Sequence, residues 1–181
     1  MAQAQGAEVI NFNKEDPIEV IQSLTGGIGA DRAIDAVGVD AVAPNSGPAA
    51  SKAQQQSSEF QHEVEQIAPQ TNPQNGNWHP GTAPSQVLEW GVQALAKAGT
   101  LSIIGVYPLT HKFFPIGMAM NRNLTIKMGN CNHRKYIPTL VDMVRSGAID
   151  PEQILTQVQP LTSVIDAYKA FHIVIQPCPK R

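Results

Sequence analysis

Two observations predict an α/β fold with a parallel sheet covered on both faces. Short apolar runs alternate with segments of helical period, and most of those runs are too apolar for one side of the sheet to be wet. The 181 residues suffice for one domain with a sizeable core and fall short of two full ones.

Taken in order, residues 6–12 form a short apolar run introduced by Gly6, which suits a buried strand. Residues 1–5 read as the last turn of a preceding helix. Asp16-Pro17 supplies a cap and a first-turn proline, Ile18, Ile21 and Leu24 recur at helical spacing, and Thr25-Gly26-Gly27 ends that helix. Residues 31–38 form a second strand, stopped by Gly38. After an interruption, residues 85–98 make a helix with Leu88, Val92 and Leu95 on one side, closed by Gly99. Residues 100–106 are a third strand. Residues 124–128 are a fourth, with the polar alternation an edge allows. Ile137, Leu140, Val141 and Val144 mark another helix, ended by Gly147. Ser163 is placed to cap a last one carrying Val164, Ile165, Tyr168 and Phe171.

The interruption, residues 39–84, is rich in Ala, Gln, Ser, Asn and Pro and longer than usual connections. It reads as a loop-like insertion. Only residues 57–67 show order, with Phe60, Val64 and Ile67 on one stripe. It is either a lid or oligomer contact, or a solvated loop.

Composition narrows the function classes. Net charge is −2 and the sequence pI about 6.2, so no strong field points to nucleic acid or a membrane surface. The longest apolar stretches, such as 101–106, fall below the roughly 18–20 residues that span a bilayer. The first ten residues have no basic start or long apolar run of a leader peptide. A cytoplasmic protein is expected. Cys131 and Cys178 are too few for a disulfide framework or a four-cysteine zinc site. Cys131-x-His133 supplies at most half of a tetrahedral set, and is otherwise a packed thiol beside a basic cluster. His133, Arg134 and Lys135 could meet a cofactor phosphate or form a solvated face.

A series of short motifs carries a resemblance. Asp35-Ala36-Val37-Gly38, Pro84-Ser85-Gln86, Ala98-Gly99-Thr100, Ile104-Gly105-Val106-Tyr107-Pro108, the run from Met128 to Tyr136, Asp150-Pro151 and Pro160-Leu161-Thr162-Ser163 follow one another in order. Together they are similar to the zinc-dependent medium-chain alcohol dehydrogenases. They most resemble the glutathione-independent formaldehyde dehydrogenase-like branch, with its long insertion ending near Asn77-Trp78. The resemblance covers roughly residues 2–171.

It implies NAD as cofactor, with Ala36, Val37 and Gly38 facing its adenosine side. Ile104, Gly105 and Val106 would meet the nicotinamide carboxamide through main-chain groups. In such sheets a ligand lies across the carboxyl ends of the strands, where glycines let it approach the backbone. Alternatively, Gly38 and Gly105 merely end strands. The resemblance also implies a catalytic zinc whose ligands lie outside this sequence, and a homo-oligomer contact between Leu109 and Met128.

The expected class is therefore α/β, an incomplete Rossmann-type doubly wound parallel sheet in which the first two strands and the Gly-rich turn are missing. Gly26-Gly27-Ile28-Gly29 follows a helix instead of opening one, so it places no phosphate on a helix N-terminus. Residues 1–38 and 85–147 would be parts of a nucleotide-binding domain. Residues 148–181 would return toward a catalytic domain, ending in an atypical tail from His172, where Pro177 and Pro179 oppose a strand. With two central strands missing, residues 6–12 are expected to slip inward and pair with residues 31–38, because unpaired buried amides cost about 1–3 kcal/mol each. The sequence contains no catalytic residue that the resemblance identifies. The chain alone is expected to bind NAD(H) weakly if at all and to be inactive; alternatively it is a non-catalytic remnant that binds a homologous partner through exposed sheet edges.

Overall fold

The computed structural model describes residues 2–68, 79–155 and 158–168. The expected tail from His172, Phe171, Cys178 and the Asn77-Trp78 pair lie outside them. The chain divides into two compact units, residues 2–131 and residues 132–181.

In the first unit, α1 (Pro17–Leu24) begins as the sequence predicts. Asp16 Oδ1 accepts the amides of Ile18 and Glu19 at 2.9 and 3.3 Å, and Pro17 stands in the first turn. Thr25 ends the helix, and Gly26 and Gly27 follow with φ of 61° and 84°.

Three strands, β1 (Ala30–Asp35), β2 (Leu95–Ile103) and β3 (Thr125–Met128), form a parallel sheet in the order β1-β2-β3. β2 is central: Leu101 and Ile103 point into the core and Ser102 is half-buried between them. β3 is an edge strand, as its alternation predicts, and only Ile126 packs on the core.

Residues 6–12 are not a strand. A 3-10 turn, Ala2–Gln5, precedes Gly6 (φ 79°), and the chain then runs without ladder bonds, with Val9 half exposed. The expected slip toward β1 does not occur; β1 pairs with β2 alone among the described residues. The segment is held by side chains instead of a ladder. Phe12 lies 5.8 Å from the Trp90 ring, Asn13 Oδ1 accepts the Asn45 amide, and Ser46 Oγ donates to the Asn13 carbonyl.

The insertion contains two helices, α2 (Pro48–Gln55) and α3 (Ser57–Ile67). The second follows from its stripe, with Phe60 and Ile67 buried and Val64 half-buried. The first is unexpected: its composition is polar, but Ala49 and Ala53 are small enough to be buried, and Ala53 joins Phe60 and Ala83 in a small cluster. The salt bridge from Lys52 to Asp16, 2.7 Å, ties α2 to the start of α1.

α4 (Gln86–Ala94) ends four residues before the predicted boundary, because Leu95 is already extended and begins β2. Arg122 captures this exit: its Nη2 donates to the Leu95 carbonyl, and its own carbonyl accepts the Ala98 amide at 2.8 Å. Ala98 has φ 61°, and the register between β1 and β2 is irregular just before it resumes at Arg32 opposite Thr100. Leu88 and Val92 of α4, Leu95, Leu101 and Ile103 of β2, and Ala119 of α5 (Ile116–Asn121) form the main core.

In the second unit, α6 (His133–Arg145) starts earlier than its apolar stripe because Asn132 accepts the Lys135 amide as a cap. Gly147, with φ 73°, ends it as expected. Ser163 does not cap the next helical segment. It is the last residue of a 3-10 turn (Leu161–Ser163) that runs directly into helical residues 164–168, and its hydroxyl bonds Gln159 and the Pro160 carbonyl.

Candidate functional site

Asp35 sits at the carboxyl end of β1 and is 1% exposed. Its Oδ1 accepts the amides of Val37 and Gly38, both at 2.9 Å, and its Oδ2 accepts the Tyr107 hydroxyl at 2.7 Å. Its main-chain carbonyl accepts the amides of Ile104 and Gly105, both at 2.9 Å. One residue thus turns the chain out of the ladder after β1 and after β2. This is why both strands stop three residues before the glycine-containing ends predicted from sequence.

The two turns meet. The Val39 amide donates to the Val106 carbonyl at 3.1 Å. A Cβ on Gly38, whose φ is 71°, would lie 2.5 Å from Val106 N and O. A Cβ on Gly105 would strike the Gly38 backbone and approach Asp35 Oδ1 to 2.8 Å. The lack of side chains at both glycines is therefore required by contact between the turns themselves, which favours the strand-ending alternative over direct approach of a ligand.

Around this junction the remaining predicted site residues face outward. Ala36 is exposed, Val37 is 48% exposed, Ile104 68% and Val106 76%, while Gly38 is buried and Gly105 half-buried. The six residues named from the sequence are brought together as an apolar ledge at the carboxyl end of two adjacent parallel strands. Asp35 and Tyr107, which hold that ledge, were not identified as functional. The available signal was a carboxylate closing an apolar run, since a buried polar group demands partners.

Tyr107 is held far above the usual tyrosine range, first by burial and then by its bond to Asp35. Its ring lies 4.6 Å from that of His111, which burial pushes below the ordinary histidine value and keeps neutral near pH 7. Among the described residues no ion pair involves Asp35.

A second polar cluster lies behind α4. Glu63 of α3, 5% exposed, accepts the Ser85 hydroxyl at 2.7 Å and the Ser85 amide at 3.1 Å. The hydroxyl that could cap α4 is thus committed to the insertion. Beside it an open cavity of about 560 Å3 is lined by Glu59, His62, Glu89, Phe113 and Phe114, among others. It lies apart from the apolar ledge, sharing none of the six residues.

Cys131 is exposed and unpaired, so the packed-thiol alternative does not hold. Among the described residues no three His, Cys, Asp or Glu side chains converge on a point that could hold a metal. His133, Arg134 and Lys135 are exposed in the first turn of α6, and Lys135 Nζ lies 5.3 Å from the centre of the Tyr136 ring. No described helix is long and apolar enough to cross a membrane.

No protein-family model matches the chain. It is 30% identical over 174 residues to a zinc-type alcohol dehydrogenase-like protein, AdhB, of Bacillus subtilis (strain 168), covering 96% of this chain and 39% of that protein. It is 36% identical over 86 residues to a zinc-type alcohol dehydrogenase-like protein of Schizosaccharomyces pombe (strain 972 / ATCC 24843), covering 48% of this chain and 20% of the relative. The chain thus spans about two fifths or less of the length of these curated relatives. Among solved structures, the alcohol dehydrogenase TADH of Thermus sp. ATN1 superposes with a TM-score of 0.66 at 21% identity, over 96% of this chain and 37% of that one. The benzyl alcohol dehydrogenase of Acinetobacter calcoaceticus gives 0.59 at 19%, over 95% and 36%. The α/β fold is therefore the Rossmann-like fold found in part of the alcohol dehydrogenases, and the similar sequences are alcohol dehydrogenase-like oxidoreductases.

Proposed function

We propose that this chain is part of an NAD- and zinc-dependent alcohol dehydrogenase, of the formaldehyde dehydrogenase-like kind, and supplies turns against which the cofactor lies. One observation carries the proposal: Val37, Ile104 and Val106 present exposed aliphatic surface at the carboxyl ends of adjacent parallel strands, where such sheets bind ligands. Apolar side chains over a rigid backbone junction fit the flat rings of a dinucleotide. Ala36, Val37 and Gly38 would hold the adenosine side, and Ile104, Gly105 and Val106 the nicotinamide side. A nicotinamide held there would supply hydride-transfer chemistry. The chain's own part is to bind and orient the ring and shield one of its faces from water.

The described residues do not fit a zinc ion, and no step through zinc is derived from them. Zinc enters from the resemblance and from the zinc-type relatives. Titration of the folded chain with NADH tests the proposal. Energy transfer from tryptophan and enhanced nicotinamide emission, saturating at micromolar cofactor, is the expected result; no change in either signal would overturn it.

A second reading is favoured by exposed apolar side chains on β1, in the turn at Leu109 and on α5. Ile34 on β1 is 69% exposed; Leu109 and Met120, in the stretch from Leu109 to Met128, are 102% and 74% exposed. On this reading the chain associates with a homologous copy through the β1 edge or through the surface between Leu109 and Met128. Sedimentation of wild type against Leu109→Lys and Ile34→Lys separates the two surfaces, since only the variant at the true contact becomes monomeric.

A further inference from the structure

We propose that Asp35 sets the preference of this site for the oxidised, positively charged nicotinamide over the reduced, neutral one. The inference rests on the cofactor placement proposed above and adds a role for a residue that does not itself face the ligand.

The geometry surrounds the Asp35 carboxyl with donors. Its two carboxyl oxygens receive three donors, the amides of Val37 and Gly38 and the hydroxyl of Tyr107, an arrangement that suits an acceptor-only carboxylate. All three donors are neutral. No described lysine, arginine or histidine forms an ion pair with it, and His111, next along from Tyr107, is neutral. Asp35 is therefore a buried carboxylate stabilised by dipoles and not by a counter-charge. Its field reaches past the turns it holds, because a buried charge is screened far less than an exposed one.

Where that field falls follows from the turns. Asp35 bonds the amides of Val37 and Gly38 with its side chain and those of Ile104 and Gly105 with its carbonyl, so it lies directly beneath the ledge. A ring resting on Ile104 and Val106 would lie over the turns that Asp35 holds. Oxidised and reduced cofactor have nearly the same shape and differ there by one positive charge. A single negative charge at this range favours the oxidised ring by roughly five- to tenfold in relative affinity.

Asp35 is also a positioning residue, since it shapes both turns, so the test must separate charge from shape. The dissociation constants of NAD+ and NADH are measured on the folded full chain for wild type, Asp35→Asn and Tyr107→Phe. Asparagine keeps an oxygen for the two amides and removes the charge. Its NAD+ to NADH affinity ratio is expected to fall five- to tenfold. Tyr107→Phe removes a donor that partly neutralises the carboxylate and is expected to raise the ratio about twofold. Damage to the turns alone would weaken both forms alike and leave the ratio unchanged. An unchanged ratio in both variants, or shifts in the same direction, would overturn the assignment while leaving the cofactor placement intact. If Asp35→Asn does not fold, Tyr107→Phe decides, and a constant or lower ratio overturns it. Binding of neither form by the folded wild type would overturn the cofactor placement, and this assignment with it.

Discussion

Gly38 and Gly105 meet backbone to backbone, joined by the bond from the Val39 amide to the Val106 carbonyl and underlain by Asp35. Either Cβ would have to displace main chain, which a side-chain rotation cannot relieve. We expect Gly105→Ala to cost about 3 kcal/mol, at the upper end of overpacking penalties. Gly38→Ala adds the strain of a positive φ and should cost as much or more. Gly117, in α5 with nothing within 4 Å of a Cβ, is the control: Gly117→Ala should be neutral or stabilising by up to about 1 kcal/mol. Urea midpoints of the three variants check this, and a Gly105→Ala midpoint equal to wild type would contradict the contact.

Tyr107 donates to Asp35 from a partly buried position, and its ionisation is resisted first by burial and then by that bond. Because its folded-state value is raised, its contribution to stability is fully present below the ordinary tyrosine value of about 10 and is lost as pH rises above it. Tyr107 should ionise only on unfolding. In an alkaline absorbance titration, Tyr107→Phe should leave the native part of the curve unchanged and lower only the unfolded plateau. The same variant should cost about 1–3 kcal/mol, since Asp35 loses one donor in a buried position.

The helices were more legible in the sequence than the strands, for a physical reason. α1, α3 and α6 are each announced within their own residues, by Asp16-Pro17, by Phe60, Val64 and Ile67, and by the stripe from Ile137 to Val144 closed by Gly147. A strand depends on a partner elsewhere. Residues 6–12 have a strand's composition and no ladder, and Asn13 and Phe12 are fixed by loop and ring contacts instead. The end of α4 was equally hidden, since Arg122, 27 residues away, decides it by bonding Leu95. At the candidate site the sequence marked Gly38 and Gly105 as special and left two causes open, the approach of a ligand or the end of a strand; the contact between the two turns is visible only in the fold. Glycine reports that something is close, not what.

Asp16 joins a helix cap to an ion pair, and the two differ in weight. Burial alone would raise its carboxyl; the bond from Lys52 and the amides of Glu19 and Ile18 outweigh this and hold it below the ordinary value. Lys52 is largely exposed, so the pair is discounted for screening, and the cap is worth about 1 kcal/mol. Asp16→Ala should therefore cost about 1–2 kcal/mol and Lys52→Ala less. With a depressed folded value, the carboxylate stabilises the chain above about pH 3.9 and ceases to do so as pH falls through the folded value. Wild type should lose stability between pH 5 and 3 more steeply than Asp16→Asn. Parallel urea midpoints over that range would refute this.

Glu63 should behave in the opposite sense. Burial raises its carboxyl most, the two bonds from Ser85 act against this, and Glu89 and Glu59 add to the rise. The folded state thus favours the protonated form. Its contribution is fully present below the ordinary glutamate value of about 4.3 and is lost as pH rises through the higher folded value. Glu63→Gln removes the charge while keeping the shape against Ser85. The stability of wild type relative to Glu63→Gln should therefore fall between pH 4 and pH 7, where Asp16→Asn shows the reverse trend below pH 5. The Ser85 bonds limit the size to about 1 kcal/mol, since they stabilise the charged form. Midpoints of wild type and variant that keep a constant difference from pH 4 to 7 would show that Glu63 is solvated in solution, with α3 lifted from α4.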